Sequence, residues 1–276
     1  MLNFGLIGFP LGHSMSPLIH KELFRINGID ADYTLCEVNP KNFSEELKKK
    51  TEGFRGFNVT IPHKINIIPY LDKLSDRAEL FGAVNTVDNR DGVLTGHNTD
   101  CFGFLKALEM AGIELGGNVL VCGSGGVSRM FAFESVLAGA SLTIAVRDAD
   151  IEAGKMIANE IKEKLDKDVK LITLDEVKES YDVLVNGTPV GMYPNVDACV
   201  LPKEKVQSCK AVFDAVYNPM ETQLIKFARE KGIKCSNGLP MLVWQAAVAQ
   251  EIWFGVKFSM DDVKSVLAIT EKELMK

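Results

Sequence analysis

The chain has 276 residues, 46% of them hydrophobic and 25% charged, with a formal net charge of -6. This is a globular composition with room for two modest domains, and its acidic balance argues against a surface built to neutralise nucleic-acid phosphates. Six cysteines (Cys36, Cys101, Cys122, Cys199, Cys209 and Cys235) show no C-x-x-C pair and no Cys/His cluster, so neither a disulfide framework nor a metal site is signalled and reduced cytoplasmic thiols are expected.

In chain order, Phe4 to Gly8 is a predicted strand and Ser16-Pro17 reads as an N-cap with Pro at the first helical position, opening a helix through about Asn27. A strand over Tyr33 to Val38, a helix over Phe43 to Lys50 and a strand over Phe57 to Ile61 follow. Lys48-Lys49-Lys50 is the one basic run and reads as a solvated helix face. Ala83 to Asn89 and Gly92 to Gly96 form a hairpin-like pair, and Asp100 begins an apolar-periodic helix to Ala111. Asn118 to Cys122 is then a near-continuous apolar strand of the kind buried on both faces of a parallel sheet. Helices over Gly126 to Ala138 and Ile151 to Leu165 alternate with strands over Leu142 to Val146 and Val169 to Thr173. Strands over Val183 to Asn186 and Ala211 to Asp214 and a helix over Thr222 to Lys231 complete a doubly wound α/β pattern. The last stretch is two helices, Leu239 to Phe254 and Met260 to Leu274, which could return to the first domain. No basic stretch followed by a long apolar run opens the chain and no eighteen consecutive residues are apolar, so neither export nor membrane insertion is expected.

The segment Gly56-Phe57-Asn58-Val59-Thr60-Ile61-Pro62-His63-Lys64 runs from an apolar strand into polar groups, at the kind of strand end where α/β proteins place chemistry. Asn58 and Thr60, two apart, point to one side of a strand, so a polyhydroxylated ligand could meet both with Lys64 just beyond; the same residues also suit a plain strand edge. Gly12-His13-Ser14-Met15-Ser16-Pro17, Asn85-Thr86, Asn98-Thr99-Asp100 and Gln245, which interrupts the apolar face Met241 to Val248, are further polar clusters at strand and helix boundaries. For Ser16 and for Asn98-Thr99-Asp100, helix capping is an equally good reading. Four histidines without a paired nucleophile exclude Ser/His/Asp logic. Lys64 with Asp100 remains for acid-base work, since a carboxylate beside a lysine holds the ammonium in place and tunes its proton affinity.

Gly123-Ser124-Gly125-Gly126-Val127-Ser128 lies between a buried strand and a helix, the setting in which glycines bring a pyrophosphate onto a helix N-terminus. Ser128 stands where the fingerprint's third glycine would be. The following strand ends in Arg147-Asp148. An arginine there suits the 2′-phosphate of NADP and an acidic residue the free ribose of NAD; both are present, so these residues leave NADP and NAD open.

Gly12 to His20, Asn58 to Lys64, Gly82-Ala83-Val84-Asn85-Thr86, Gly96-His97-Asn98-Thr99-Asp100 and Gly238-Leu239-Pro240-Met241-Leu242-Val243-Trp244-Gln245-Ala246, in this order, closely resemble the shikimate dehydrogenase family over almost the whole chain. The resemblance implies a two-domain α/β protein: a substrate domain over residues 1–102 completed by C-terminal helices 238–276, and a Rossmann-like dinucleotide domain over 103–237. It implies that Ser14, Ser16, Asn58, Thr60, Asn85, Asp100, Tyr217 and Gln245 hold the substrate's hydroxyls and carboxylate and that Lys64 and Asp100 are the catalytic pair. The cofactor would be held by Gly123, Ser124, Gly125, Gly126, Val127, Arg147, Asp148, Thr188, Gly238 and Met241, and the segments Asn186 to Met192 and Val216 to Pro219 look like those the family places near the nicotinamide. The implied reaction is reversible reduction of 3-dehydroshikimate by NADPH, on a monomer or homodimer whose partners are small molecules.

Three positions depart from the family pattern. Lys21 replaces the usual Asn after His20, Val146-Arg147-Asp148 replaces Asn-Arg-Thr, and Ala249-Gln250 replaces a more usual apolar pair. A carboxylate at 148 would repel a 2′-phosphate. The rival readings are a quinate or quinate/shikimate dehydrogenase and, from another class, a non-catalytic sensor of the same ligands; retention of both Lys64 and Asp100 speaks against the sensor.

Overall fold

Runs of apolar residues at strand spacing build two six-stranded sheets among residues 1–12 and 14–276, which the computed structural model describes. His13 of the first motif lies outside the described residues. The chain divides into two compact units, Met1–Gly103 with Leu242–Lys276, and Phe104–Met241.

In the first unit β1 (Leu2–Gly8), α1 (Ser16–Ile26), β2 (Ala31–Glu37), α2 (Phe43–Thr51), β3 (Phe54–Val59), β4 (Lys73–Leu74), α3 (Asp76–Phe81), β5 (Thr86–Arg90) and β6 (Val93–His97) lead to α4 (Asp100–Met110). The sheet order is β2-β1-β3-β5-β6-β4. Strand alternation sorts its side chains: Ile7, Phe57 and Val59 join Val38, Phe43 and Leu47 in one buried cluster, while Phe4 and Leu6 pack with Phe24, Tyr33 and Trp253 in another. Because β1 and β3 are parallel, β5 antiparallel to β3 and β6 antiparallel to β5, the ends of β1, β3 and β6 and the start of β5 meet at one edge. Leu6, Asn58, Thr86 and His97 lie in register across it.

Several boundaries differ from expectation, three of them beside the polar clusters. The strand expected to reach Ile61 ends at Val59, because the Thr60 carbonyl accepts from the His63 amide and turns the chain. Ser16 does not cap α1: Met15 holds the cap position without a side-chain cap, and the Ser14 hydroxyl instead accepts from the Ser16 amide at 3.2 Å. The strand expected from Ala83 begins only at Thr86, since the Val84 amide is engaged by the Lys64 carbonyl. The two residues of β4 and six of α3 were not foreseen; elements that short complete too little of a period to be read.

The second unit contains β7 (Asn118–Cys122), α5 (Gly126–Leu137), β8 (Ser141–Val146), α6 (Ile151–Leu165), β9 (Lys170–Thr173), β10 (Val183–Asn186), α7 (Lys203–Val206), β11 (Ala211–Asp214), α8 (Gln223–Glu230) and β12 (Lys234–Ser236). Its sheet is wholly parallel. The order β9-β8-β7-β10-β11-β12 is the 3-2-1-4-5-6 arrangement of a dinucleotide fold. Val119, Leu120, Val121 and Cys122 are all fully buried, as a central parallel strand requires.

Helices α9 (Leu239–Phe254) and α10 (Met260–Leu274) end the chain over the expected residues. Arg55 and Arg90 fasten the end of α9 to the first sheet: Arg55 donates to the Trp253 carbonyl at 3.1 Å and Arg90 to that of Ile252 at 2.9 Å, with both guanidinium groups on Asp88. Cations on the last carbonyls of a helix also suit its dipole. No helix among the described residues is long and apolar enough to cross a membrane.

Candidate active site

The Lys64 ammonium donates to Asp100 Oδ2 at 2.6 Å, closing a sequence separation of 36 residues. Their side chains are 33% and 18% exposed, so the pair stands at the boundary between protein and solvent, where a reacting group can reach it. Each partner is fixed through its backbone. Lys64 follows the turn after β3 and its carbonyl accepts from Val84; Asp100 opens α4, where a carboxylate suits the helix N-terminus.

Asn85 holds the other carboxylate oxygen. Its Nδ2 donates to Asp100 Oδ1 at 2.9 Å and lies 3.4 Å from Gln245 Oε1. Its Oδ1 accepts from the Thr99 amide at 2.6 Å. The amide therefore cannot rotate without breaking both contacts, and Asp100 is left facing Lys64. Asn98, two residues before α4, accepts at its Oδ1 from the Cys101 amide in the first turn of that helix.

Behind this pair a buried polar layer continues. Asn58 Nδ2 donates to Thr86 Oγ1 at 2.9 Å and to the Asn85 carbonyl at 3.1 Å, and its Oδ1 accepts from the Tyr33 hydroxyl at 2.7 Å. Asn58 is 4% exposed, so its hydrogen-bonding capacity serves the layer. The Tyr33 ring stacks on His20 at 4.1 Å, and burial pushes the His20 imidazole down to about 3, keeping it neutral. Gln250, uninterpretable from sequence, donates through Nε2 to the His20 carbonyl at 3.0 Å. The polar residue in that helix thus serves α1 and not the ligand.

The structure brings Ser14, Ser16, Asn58, Thr60, Lys64, Asn85, Asp100 and Gln245 into the first unit, and all but Ser14, Ser16 and Gln245 sit at the sheet edge described above. Tyr217 lies in the second unit, in the segment after β11; burial raises its phenol above the ordinary range. Tyr33, Thr86 and Thr99 complete the polar layer. The threonines belong to the polar clusters named from sequence, whereas Tyr33, inside β2, is an ordinary β former whose role only the fold reveals.

In the second unit Gly123 follows β7 with φ +106°, and a Cβ there would meet Ser128 Oγ at 2.7 Å and Thr188 Cγ2 at 2.8 Å. Gly125 and Gly126, at the start of α5, differ: a Cβ on either would meet nothing of the protein within 4 Å. Their bareness serves no packing and leaves backbone amides open at a helix N-terminus, the surface a pyrophosphate needs. Ser128, in place of a third glycine, is fully buried and donates to the Gly187 carbonyl at 3.0 Å. Gly238 permits a close backbone approach, since a Cβ there would fall 2.1 Å from the Ala215 carbonyl oxygen, and Met241 is buried nearby in sequence. Arg147 projects from the end of β8 with its side chain 73% exposed and donates through Nε to Asp150 at 2.6 Å, not to Asp148, which opens the next turn.

One polar residue that ends an apolar strand, Asp214, was missed. Asp214, fully buried at the end of β11, accepts from Asn186 Nδ2 at 2.9 Å, the Val216 amide at 3.1 Å and the Thr222 hydroxyl at 2.6 Å. Burial pushes its carboxyl up to about 6. The ionisable groups facing it are the Cys122 and Cys199 thiols, both raised by burial and thus protonated. A lone acid closing Ala211-Val212-Phe213-Asp214 was the available signal.

Among the described residues no group of three or more His, Cys, Asp or Glu side chains is placed to hold a metal ion.

A family model described as the shikimate dehydrogenase substrate binding domain matches residues 6–87. A shikimate dehydrogenase (NADP(+)) of Methanocaldococcus jannaschii is 40% identical over 273 residues, covering 95% of each chain. A crystal structure of a shikimate dehydrogenase in complex with NADP+ superposes with a TM-score of 0.90 at 38% identity, over 100% of this chain and 96% of that one. A Listeria monocytogenes shikimate 5-dehydrogenase, solved in complex with shikimate and NAD, gives 0.86 at 36% identity, over 97% and 96%.

Proposed function

The chain belongs to the shikimate dehydrogenase family, and we propose that it reduces 3-dehydroshikimate to shikimate reversibly with NADPH, using Lys64 as the proton donor. The observation that carries this reading is the Lys64 to Asp100 contact of 2.6 Å, with Asn85 holding the second carboxylate oxygen. Bound at the Gly123 to Val127 turn, the nicotinamide nucleotide supplies the hydride that the ring carbonyl accepts. The chain's own work is placement and the proton.

Asp100 holds the Lys64 ammonium through the 2.6 Å contact and aims it. As the carbonyl oxygen gains negative charge, Lys64 transfers one proton to it, giving the secondary alcohol; in the reverse direction the amine takes that proton back. Ser14, Ser16, Thr60, Asn85 and Gln245 offer donors and acceptors for the ring hydroxyls and carboxylate, with Asn58 beside them. Tyr217 keeps the substrate-binding role that family membership implies. In the cofactor site Ser124, Gly125 and Gly126 present backbone amides to the pyrophosphate. Arg147 is the cation for the 2′-phosphate of NADP, and Thr188, Gly238 and Met241 belong to the nicotinamide side. The free thiols fit a cytoplasmic enzyme.

Steady-state oxidation of shikimate and of quinate, each with NADP+ and with NAD+, tests the assignment. The expected order places shikimate with NADP+ first. Absence of activity in all four combinations would overturn the enzyme reading, and a preference for quinate would overturn the substrate.

A further inference from the structure

We propose that Asp214 is a positioning residue for the nicotinamide half of the cofactor, acting through Asn186 on the loop that carries Thr188 and through Val216 on the loop that carries Tyr217. The inference rests on the nucleotide site assigned above and adds a residue that touches neither substrate nor cofactor.

The topology supplies the location. In a sheet of this order the ligand lies across the carboxyl ends of the strands. With the pyrophosphate at the turn after β7 and the phosphorylated ribose at Arg147 after β8, the rest of the dinucleotide falls over β10 and β11, the strands on the other side of β7. Asn186 ends β10 and Asp214 ends β11.

The chemistry supplies the device. An ionised carboxylate only accepts hydrogen bonds. Facing Asp214, the Asn186 side chain must therefore turn its NH2 group inward, donating at 2.9 Å, and its carbonyl outward. That carbonyl collects the Thr188 amide at 3.0 Å and the Thr188 hydroxyl at 2.7 Å. With its proton thus committed, the Thr188 hydroxyl accepts from the Val190 amide at 3.2 Å. On the other side the Val216 amide donates to the same Asp214 oxygen, and Thr222, which donates to the second, caps α8 by accepting from Ile225. One acceptor-only group sets the polarity of a relay through two loops. An asparagine at 214 has a donor of its own, so the Asn186 amide could turn over and Thr188 would lose its register.

The test is the ratio of two dissociation constants, measured calorimetrically on the full chain without substrate: NADP+, and 2′,5′-ADP, which lacks the nicotinamide half. For Asp214→Asn the expected result is NADP+ binding weakened about tenfold, the scale of one charge-assisted hydrogen bond, with 2′,5′-ADP within about twofold of wild type. Unchanged binding of both ligands, or equal weakening of both, overturns the proposal. Should D214N fail to fold, Asn186→Ala cuts the relay while leaving the carboxylate, and the same ratio decides. A wild-type chain that binds neither ligand would sink the nucleotide site itself and the inference with it.

Discussion

In the first unit Asp100 faces a lysine at the edge of solvent, one oxygen on the ammonium and the other on an asparagine. In the second unit Asp214 is fully buried and meets only neutral donors from an asparagine, a backbone amide and a threonine. Both carboxylates are held by an asparagine, yet their environments suit opposite tasks. A charge opposite a cation within reach of water can pass its partner's proton to a ligand at small cost. A charge buried without a cation is expensive to keep, and it is retained because an acceptor with no donor of its own fixes the direction of every bond around it.

Each expected outcome below separates the two carboxylates further or collapses the distinction. Of the two carboxylates, the larger effect is expected at Asp100. Asp100→Asn removes the charge that holds the ammonium, and turnover should fall about a hundredfold with a smaller change in shikimate KM; a loss confined to KM would make Asp100 a binding group only.

Asp214 should instead appear in the pH dependence of stability. Its folded-state carboxyl titrates near 6 against an ordinary 3.8, so the folded chain binds this proton more tightly than the unfolded chain. Its contribution is therefore complete below about pH 4 and is lost as pH rises through about 6, on the order of 3 kcal/mol. Denaturant titrations should show the stability of wild type relative to D214N falling by that amount between pH 4 and 7. A pH-independent difference would mean that Asp214 is not a strained buried acid.

Smaller effects follow at the nucleotide turn. Ser128→Gly creates the third fingerprint glycine but removes the bond to the Gly187 carbonyl and adds a glycine to α5. It should lower Tm by several degrees, for a cost of about 1–2 kcal/mol, and leave NADP+ affinity nearly unchanged. Asp148→Thr removes an exposed carboxylate beside Arg147 and should raise the preference for NADP+ over NAD+ roughly two- to fivefold, less at high salt.

The same contrast explains what could be read from the sequence. The doubly wound order, both C-terminal helices and the glycine turn follow from long apolar runs, and these have a period to count. Lys64, Asp100, Asn85 and Gln245 stood out because they were polar among apolar neighbours, although only the fold brings Lys64 to Asp100. Asp214 carried that same signal, yet it was absorbed into its strand as a terminal residue. Ser16 and Thr60 were misjudged locally, the first as a cap and the second as part of a strand, because a hydrogen bond to a neighbouring hydroxyl and a turn after Val59 are set by contacts that periodicity does not encode. The exposed Arg147, paired to Asp150 and not to Asp148, likewise depends on a turn whose geometry the strand pattern does not determine.

The central claim is that Lys64 delivers the proton. Steady-state oxidation of shikimate by NADP+ with Lys64→Ala measures it most directly: kcat should drop at least about a hundredfold while the shikimate KM changes only a few-fold. A kcat within about twofold of wild type would contradict the account.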